Sequence, residues 1–238
     1  MRPKDLTKTI ELAINIDEVL LIIGAPGIGK TDIVRDACNG FESVLLHPVI
    51  HDPVNYTGFP SLQNGKADFT PFGFLRKMIE TEKKLIIIVD DLGQAAHSVQ
   101  AALMQLVLQS NIDGNQVSEH CRFILISNRR EDKAGVSSII EPLKGRATII
   151  DLEVNGDDWR KWAIEHDMPA ELVAFSKLRP NLLFDFKPTT DMSNSPTPRN
   201  WAAIGRWQNA GIPKHLEYEI FKGRCGEQFA AEYTAFLR

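Results

Sequence analysis

At 238 residues, 43% of them hydrophobic, the chain can bury a full core as one large domain, or one plus a smaller companion. Its 27 Lys and Arg nearly balance 31 Asp and Glu, a net −4 that argues against a dominant electrostatic nucleic-acid binder. Three widely spaced cysteines (Cys38, Cys121, Cys225) suit buried free thiols in a reducing compartment, and the longest clean apolar runs have five residues, against the ~20 needed to cross a bilayer. Met1 to Asp5 lead into no apolar signal core, so a soluble, cytoplasmic protein is expected. Leu6, Ile10 and Ile14 then repeat at helical spacing. Five short runs read as buried parallel strands: Val19–Ile23, Ser43–Leu46, Leu85–Val89, Phe123–Ser127 and Ala147–Leu152. Each is nearly continuous in aliphatic residues, as when helices cover both faces of a sheet. Helical patterns at Asp32–Cys38 and at Val99, Leu103 and Leu106 separate them, which implies an α/β layered domain. Asn64-Gly65 between short β-compatible arms predicts a two-residue hairpin, and a second excursion at Asn111–Val117 centres on Asp113-Gly114.

The pattern changes after about residue 155. Asp157 or Asp158 can cap a helix carrying Trp159 and Trp162, and Pro169 opens another through about Leu178. Lys187–Pro198 has no periodicity and reads as an exposed loop. Pro198 opens a helix to roughly Asn209, and two further helical patterns finish the chain. The expected division is an α/β domain over 1–155 and an all-helical one over 156–238, with Trp159, Trp162, Trp201 and Trp207 packing the latter's core.

Two segments carry chemistry. Gly24-Ala25-Pro26-Gly27-Ile28-Gly29-Lys30-Thr31 fits the Walker A pattern Gly-x-x-x-x-Gly-Lys-Thr without a mismatch, directly after a strand and before a helix. Glycines let such a loop curl its N–H groups around phosphate oxygens at a helix N-terminus. Lys30 would reach the β- and γ-phosphates of ATP, and the Thr31 hydroxyl would ligate Mg²⁺. Leu85–Val89 followed by Asp90-Asp91 has the Walker B form, a buried strand ending in acids at the edge where ligands of open α/β sheets bind. Asp90 would hold Mg²⁺ and Asp91 would polarise the attacking water. His47, His51 and His97 form no metal-ligand spacing such as His-x-x-x-His, so no zinc site is expected and His51 reads as structural. Ser127 and Cys38 lack a base and an orienting partner for covalent catalysis.

With these motifs at this spacing, the chain resembles AAA+ ATPases, over about residues 10–210. Phe123–Asn128 resembles the strand and polar residue of the first sensor, which makes Asn128 the partner of the γ-phosphate or attacking water. Glu141–Arg146 resembles the segment ending in the arginine finger, with Arg129 and Arg130 as rivals to Arg146; Pro196–Trp201 resembles the second sensor, carried by Arg199. His51–Pro60 and Asp90–Ala95 look like the MoxR-type branch, nearest its short bacterial and phage ATPases. The resemblance implies a P-loop domain with a five-stranded parallel sheet in the order 5-1-4-3-2, a C-terminal helical lid, and a homo-oligomeric ring, most often a hexamer. It also implies an ATPase using ATP and Mg²⁺, a chaperone that remodels or activates a protein client with a von Willebrand factor A domain. A phage-type DNA-directed motor or loader, and a slowly hydrolysing ATP-dependent switch, are the alternatives. Most members carry Glu where this chain has Asp91, whose carboxylate is a methylene shorter and must approach the water differently.

Overall fold

The computed structural model describes residues 1–63, 65–112, 114–132, 139–189 and 191–238. They pack as two compact units, one of residues 5–24 and 30–151, the other of residues 1–4, 25–29 and 152–238.

The first unit is built on a parallel sheet of β1 (Leu20–Gly24), β2 (Glu42–Leu46), β5 (Leu85–Val89), β8 (Cys121–Asn128) and β9 (Thr148–Asp151). All five lie within two residues of their expected ends. Two antiparallel hairpins interrupt the count: β3 (Phe59–Gln63) with β4 (Lys66–Thr70), and β6 (Asn111–Ile112) with β7 (Asn115–Gln116). Both fall where Asn-Gly and Asp-Gly predict them. Gly65 and Gly114 stand at φ of 78° and 84°, the left-handed region that such turns demand, while Asn64 and Asp113 lie outside the described residues. The sheet order is β2-β5-β8-β1-β9. Numbered among themselves, these five strands read 5-1-4-3-2 from the β9 edge.

Strand β5 is buried at every position, because it lies inside the sheet with helices against it. Its core partners include Leu21, Leu46, Leu103, Phe123 and Leu125. The register pairs Leu46 with Val89 and Gly24 with Asn128, so the strands end together at one edge. Helix α1 (Pro3–Ile16) buries Leu6, Ile10 and Ile14, as their spacing requires. Helix α2 (Lys30–Ala37) starts on the lysine of the Gly-x-x-x-x-Gly-Lys-Thr pattern; α3 (Val54–Thr57), α4 (Gly73–Glu80), α5 (His97–Gln109) and α6 (Glu141–Lys144) complete the unit.

The second unit carries α7 (Gly156–Glu165), α8 (Ala170–Leu178), α9 (Pro198–Asn209) and α10 (Lys214–Phe236). Its core is aromatic: Trp159, Phe175, Trp201, Phe221, Phe229 and Tyr233. Trp207 departs from expectation, being 46% exposed. The cap of α7 is also corrected. Asn155, not Asp157 or Asp158, is the N-cap, its side chain accepting from the Asp158 N–H at 3.0 Å. Asp158 instead accepts from Arg2 at 2.7 Å. Within α10, Gly226 at φ 81° and ψ 173° breaks the helix in two, matching the two expected patterns.

Candidate functional site

At the carboxyl edge of the sheet, side chains from two strand ends and one helix start, with the carbonyl at a third strand end, are linked by hydrogen bonds. Lys30, the first residue of α2, donates from Nζ to the Gly24 carbonyl at 2.9 Å and to Asn128 Oδ1 at 2.8 Å. The amide nitrogen of Asn128 donates in turn to Asp91 Oδ1 at 3.4 Å. Thr31 Oγ1 donates to Asp90 Oδ2 at 2.7 Å, and the Asp91 N–H donates to Asp90 Oδ1 at 2.9 Å. Both carboxylate oxygens of Asp90 are thereby oriented, and the side chain is only 8% exposed. Asp91 is held in a left-handed conformation, φ 56° and ψ 33°. That conformation costs a non-glycine residue about 1 kcal/mol or more and recurs where function needs a particular side-chain direction. Asp90, Asp91, Asn128, Lys30 and Thr31, expected from widely separated segments, are thus brought together.

The Thr31 hydroxyl and Asp90 carboxylate are hard oxygen donors side by side, a set that suits Mg²⁺. Within the second unit, the loop residues Ala25, Pro26, Gly27, Ile28 and Gly29 pack with the start of α9. The Arg199 N–H donates to the Gly27 carbonyl at 3.0 Å. Gly27 and Gly29 have φ of 75° and 92°, which lets the loop curl as a phosphate cradle requires. A side chain at Gly27 would start 2.8 Å from Thr197 Oγ1.

The arginines divide. Arg146 is exposed in the turn between α6 and β9, and Arg199 is exposed at the start of α9. Arg129 instead bonds within its own unit: its Nε donates to Asp151 Oδ1 at 2.9 Å, and its guanidinium forms an ion pair there. Nearby Asp132 has its carboxyl pushed above the usual range by burial, which outweighs the opposing attraction of Arg129.

Three features were missed in the sequence. One is the Arg129–Asp151 pair, another is Asp132. The third is His47, whose ring stands with the Asp90 and Asp91 carboxylates, ligand atoms all within 4.8 Å of one another. Each of His47 and Asp90 directly follows a strand, and these strands are neighbours in register, a signal available only once the pairing is known. His51 is structural, as expected: Nδ1 lies 2.8 Å from the Tyr56 hydroxyl and the ring stacks on Phe74. Burial pushes its pKa down. All three cysteines are buried and free; burial raises the Cys38 and Cys121 thiols to about 11, which leaves them unreactive. Among the described residues, no helix is long and apolar enough to cross a membrane.

No protein-family model and no curated protein matches the sequence. Solved structures do. The chain is similar to the Thermotoga maritima RuvB Holliday junction branch migration motor, with 15% identity and a TM-score of 0.53 over 98% of this chain and 69% of that one. It is similar also to a proline-to-glycine mutant of Thermotoga maritima RuvB, with 13% identity and a TM-score of 0.50 over 98% and 68%. The five-stranded parallel sheet, its flanking helices and the helical C-terminal region are those of the AAA+ ATPase fold.

Proposed function

We propose that this chain binds ATP with Mg²⁺ and hydrolyses it, as a MoxR-like AAA+ ATPase working in a homo-oligomeric ring, most often a hexamer. The observation that carries the reading is the joined network of Lys30, Thr31, Asp90, Asp91 and Asn128 at the sheet edge. Lys30 would hold the β- and γ-phosphates, with Gly24 through Gly29 supplying backbone N–H donors. Thr31 and Asp90 would hold Mg²⁺, which when bound neutralises charge developing on the transferred phosphoryl group. Asp91 and Asn128 orient the attacking water for in-line displacement. Arg146 is the finger offered to a neighbouring protomer, a role that the engagement of Arg129 with Asp151 favours over Arg129. Arg199 is the second sensor.

The client is a protein, with one carrying a von Willebrand factor A domain as the leading candidate. Hairpin β3–β4 supports a protein over a nucleic acid: Phe59 is 61% and Leu62 79% exposed, whereas Lys66 is its one basic residue and is offset by Asp68. Exposed apolar side chains with one balanced charge pair suit a protein surface better than a phosphate backbone. The likeness to a Holliday junction motor supports the DNA-directed reading, so turnover must be measured with both kinds of partner.

Calorimetry of Lys30→Ala tests the core claim. ATP affinity should fall at least 100-fold with the fold intact, and equal affinity in variant and parent sinks the phosphate-loop assignment. Stimulation of turnover by DNA, and not by a von Willebrand factor A protein, would give the function to the motor reading.

A further inference from the structure

We propose that His47, Asp90 and Asp91 form a site for a first-row divalent transition-metal ion of the Mn²⁺ or Zn²⁺ kind, filled without nucleotide. The three side chains offer one imidazole nitrogen and two carboxylate oxygens, with ligand atoms within 4.8 Å of one another. An ion with ligands at about 2.0–2.2 Å holds its donor atoms roughly 3–4 Å apart, so small side-chain rotations close the set. The backbone beneath is rigid. Leu46 and Val89 are paired at the ends of β2 and β5, and the Asp90 N–H extends the ladder by donating to the Leu46 carbonyl at 2.8 Å. His47 and Asp90 therefore leave adjacent strands at the same level, and the left-handed turn at Asp91 brings the second carboxylate to the same place.

Chemistry selects the ion. Two carboxylates side by side, one of them 8% exposed, repel each other in a partly desolvated setting, and a divalent cation between them relieves both costs. The imidazole then decides which cation. Mg²⁺ prefers oxygen and keeps its waters, whereas first-row transition ions accept imidazole with carboxylate. The set differs from the Thr31 and Asp90 pair that suits nucleotide-bound Mg²⁺, because it turns on His47 and Asp91 and needs no phosphate. One consequence rests on the ATPase reading: an ion on Asp91 would hold that acid away from water, so occupancy would act as a brake. Binding of the ion does not depend on that reading.

The test uses the untagged full chain without nucleotide, titrated with Mn²⁺ and followed by electron paramagnetic resonance. One saturable site is expected, with spin-echo modulation from a directly bound imidazole nitrogen. His47→Gln should weaken it at least tenfold and Asp91→Asn should do likewise, since even outer-shell changes at metal sites cost 10–100-fold, by about that order. Absence of a saturable site, a site without nitrogen modulation, or equal affinity in His47→Gln each overturns the proposal. The nitrogen signal is read on the unaltered protein, so it stands even if a variant folds badly. Calorimetry of ATP with Mg²⁺ on the same His47→Gln protein separates the two readings: retained ATP binding beside unaltered Mn²⁺ affinity defeats this site alone.

Discussion

The two units of the chain spend their polar and apolar residues in opposite ways. In the sheet unit the core is mostly aliphatic, with Leu21, Ile87, Val89 and Leu125 among its residues, and polar side chains collect where the strands stop. In the helical unit the core is aromatic, and its polar atoms serve packing. Trp201 is wholly buried, donates its indole N–H to the Leu182 carbonyl at 2.7 Å, and meets Trp159, Phe175 and Phe229 at ring-centroid distances of 4.9–5.6 Å. The difference follows from geometry. Parallel strands leave a row of unpaired backbone ends and loops at one edge, where buried polar groups can be held by neighbours in register. Helices crossing at varied angles leave irregular gaps, which large rings fill. The sheet edge should therefore tolerate loss of chemistry without loss of structure, and the helical core should not.

The largest expected effect tests the chemical half. Asp91→Asn should retain ATP and lose turnover, and Arg146→Ala should bind ATP and hydrolyse poorly, because an arginine inserted from outside raises NTPase rates by about 10³–10⁵. Neither change should move the melting temperature much, since Arg146 is exposed and Asp91 keeps its shape as Asn. Mixing the two variants should restore part of the turnover, as some interfaces then pair an intact acid with an intact finger. Mixed rings verified by native mass spectrometry that stay inactive would move the role to Arg129 or Arg130.

Trp201→Ala tests the structural half. Removing a fully buried indole from an aromatic cluster costs about 3–5 kcal/mol, and here it also leaves the Leu182 carbonyl without its donor. Urea unfolding should show that loss in the helical unit. A change below about 1 kcal/mol would mean that the cluster packs too loosely to carry stability, and the contrast between the units would fail.

Legibility in the sequence follows the same division. The five sheet strands are visible in the sequence because each is an aliphatic run between turn residues, and the Gly-rich segment 24–31 stands out because it fits its pattern without a mismatch. What stayed hidden needs partners far along the chain. His47 has no sequence neighbour that explains it, and Asp90 is 43 positions away; only the pairing of β2 with β5 joins them. Arg129 reads in the sequence as a rival finger, and its partner Asp151, at the end of β9, shows only in the fold. Asp157 and Asp158 read as the caps of α7, but the helix starts one turn earlier, so Asn155 takes the Asp158 N–H and Asp158 is left to accept from Arg2.

Gly27 is where the contrast is sharpest, because this residue of the Gly-rich loop packs within the second unit. Its φ of 75° lies in the left-handed region, so alanine there costs about 1–2 kcal/mol from backbone sterics alone. Its new Cβ would sit 2.8 Å from Thr197 Oγ1 and 3.0 Å from Thr197 Cβ, too close for Thr197 to stay where it is. Thr197 has little room to move: it is 5% exposed and caps α9 by accepting from the Asn200 N–H at 3.3 Å. Losing that cap costs about 1 kcal/mol more. Gly27→Ala should thus lower stability by about 2–3 kcal/mol in all, the sum of those two costs. Thr197→Ala by itself should lose about 1 kcal/mol. The double variant should lose less than the sum, since Thr197→Ala removes the hydroxyl that the new methyl meets while the backbone cost remains. Coupling energies between touching residues run from about 0.5 to 3 kcal/mol, large enough to read in urea unfolding. Strict additivity would mean that the loop and the helix start do not press on each other, and that Gly27 is required for its backbone alone.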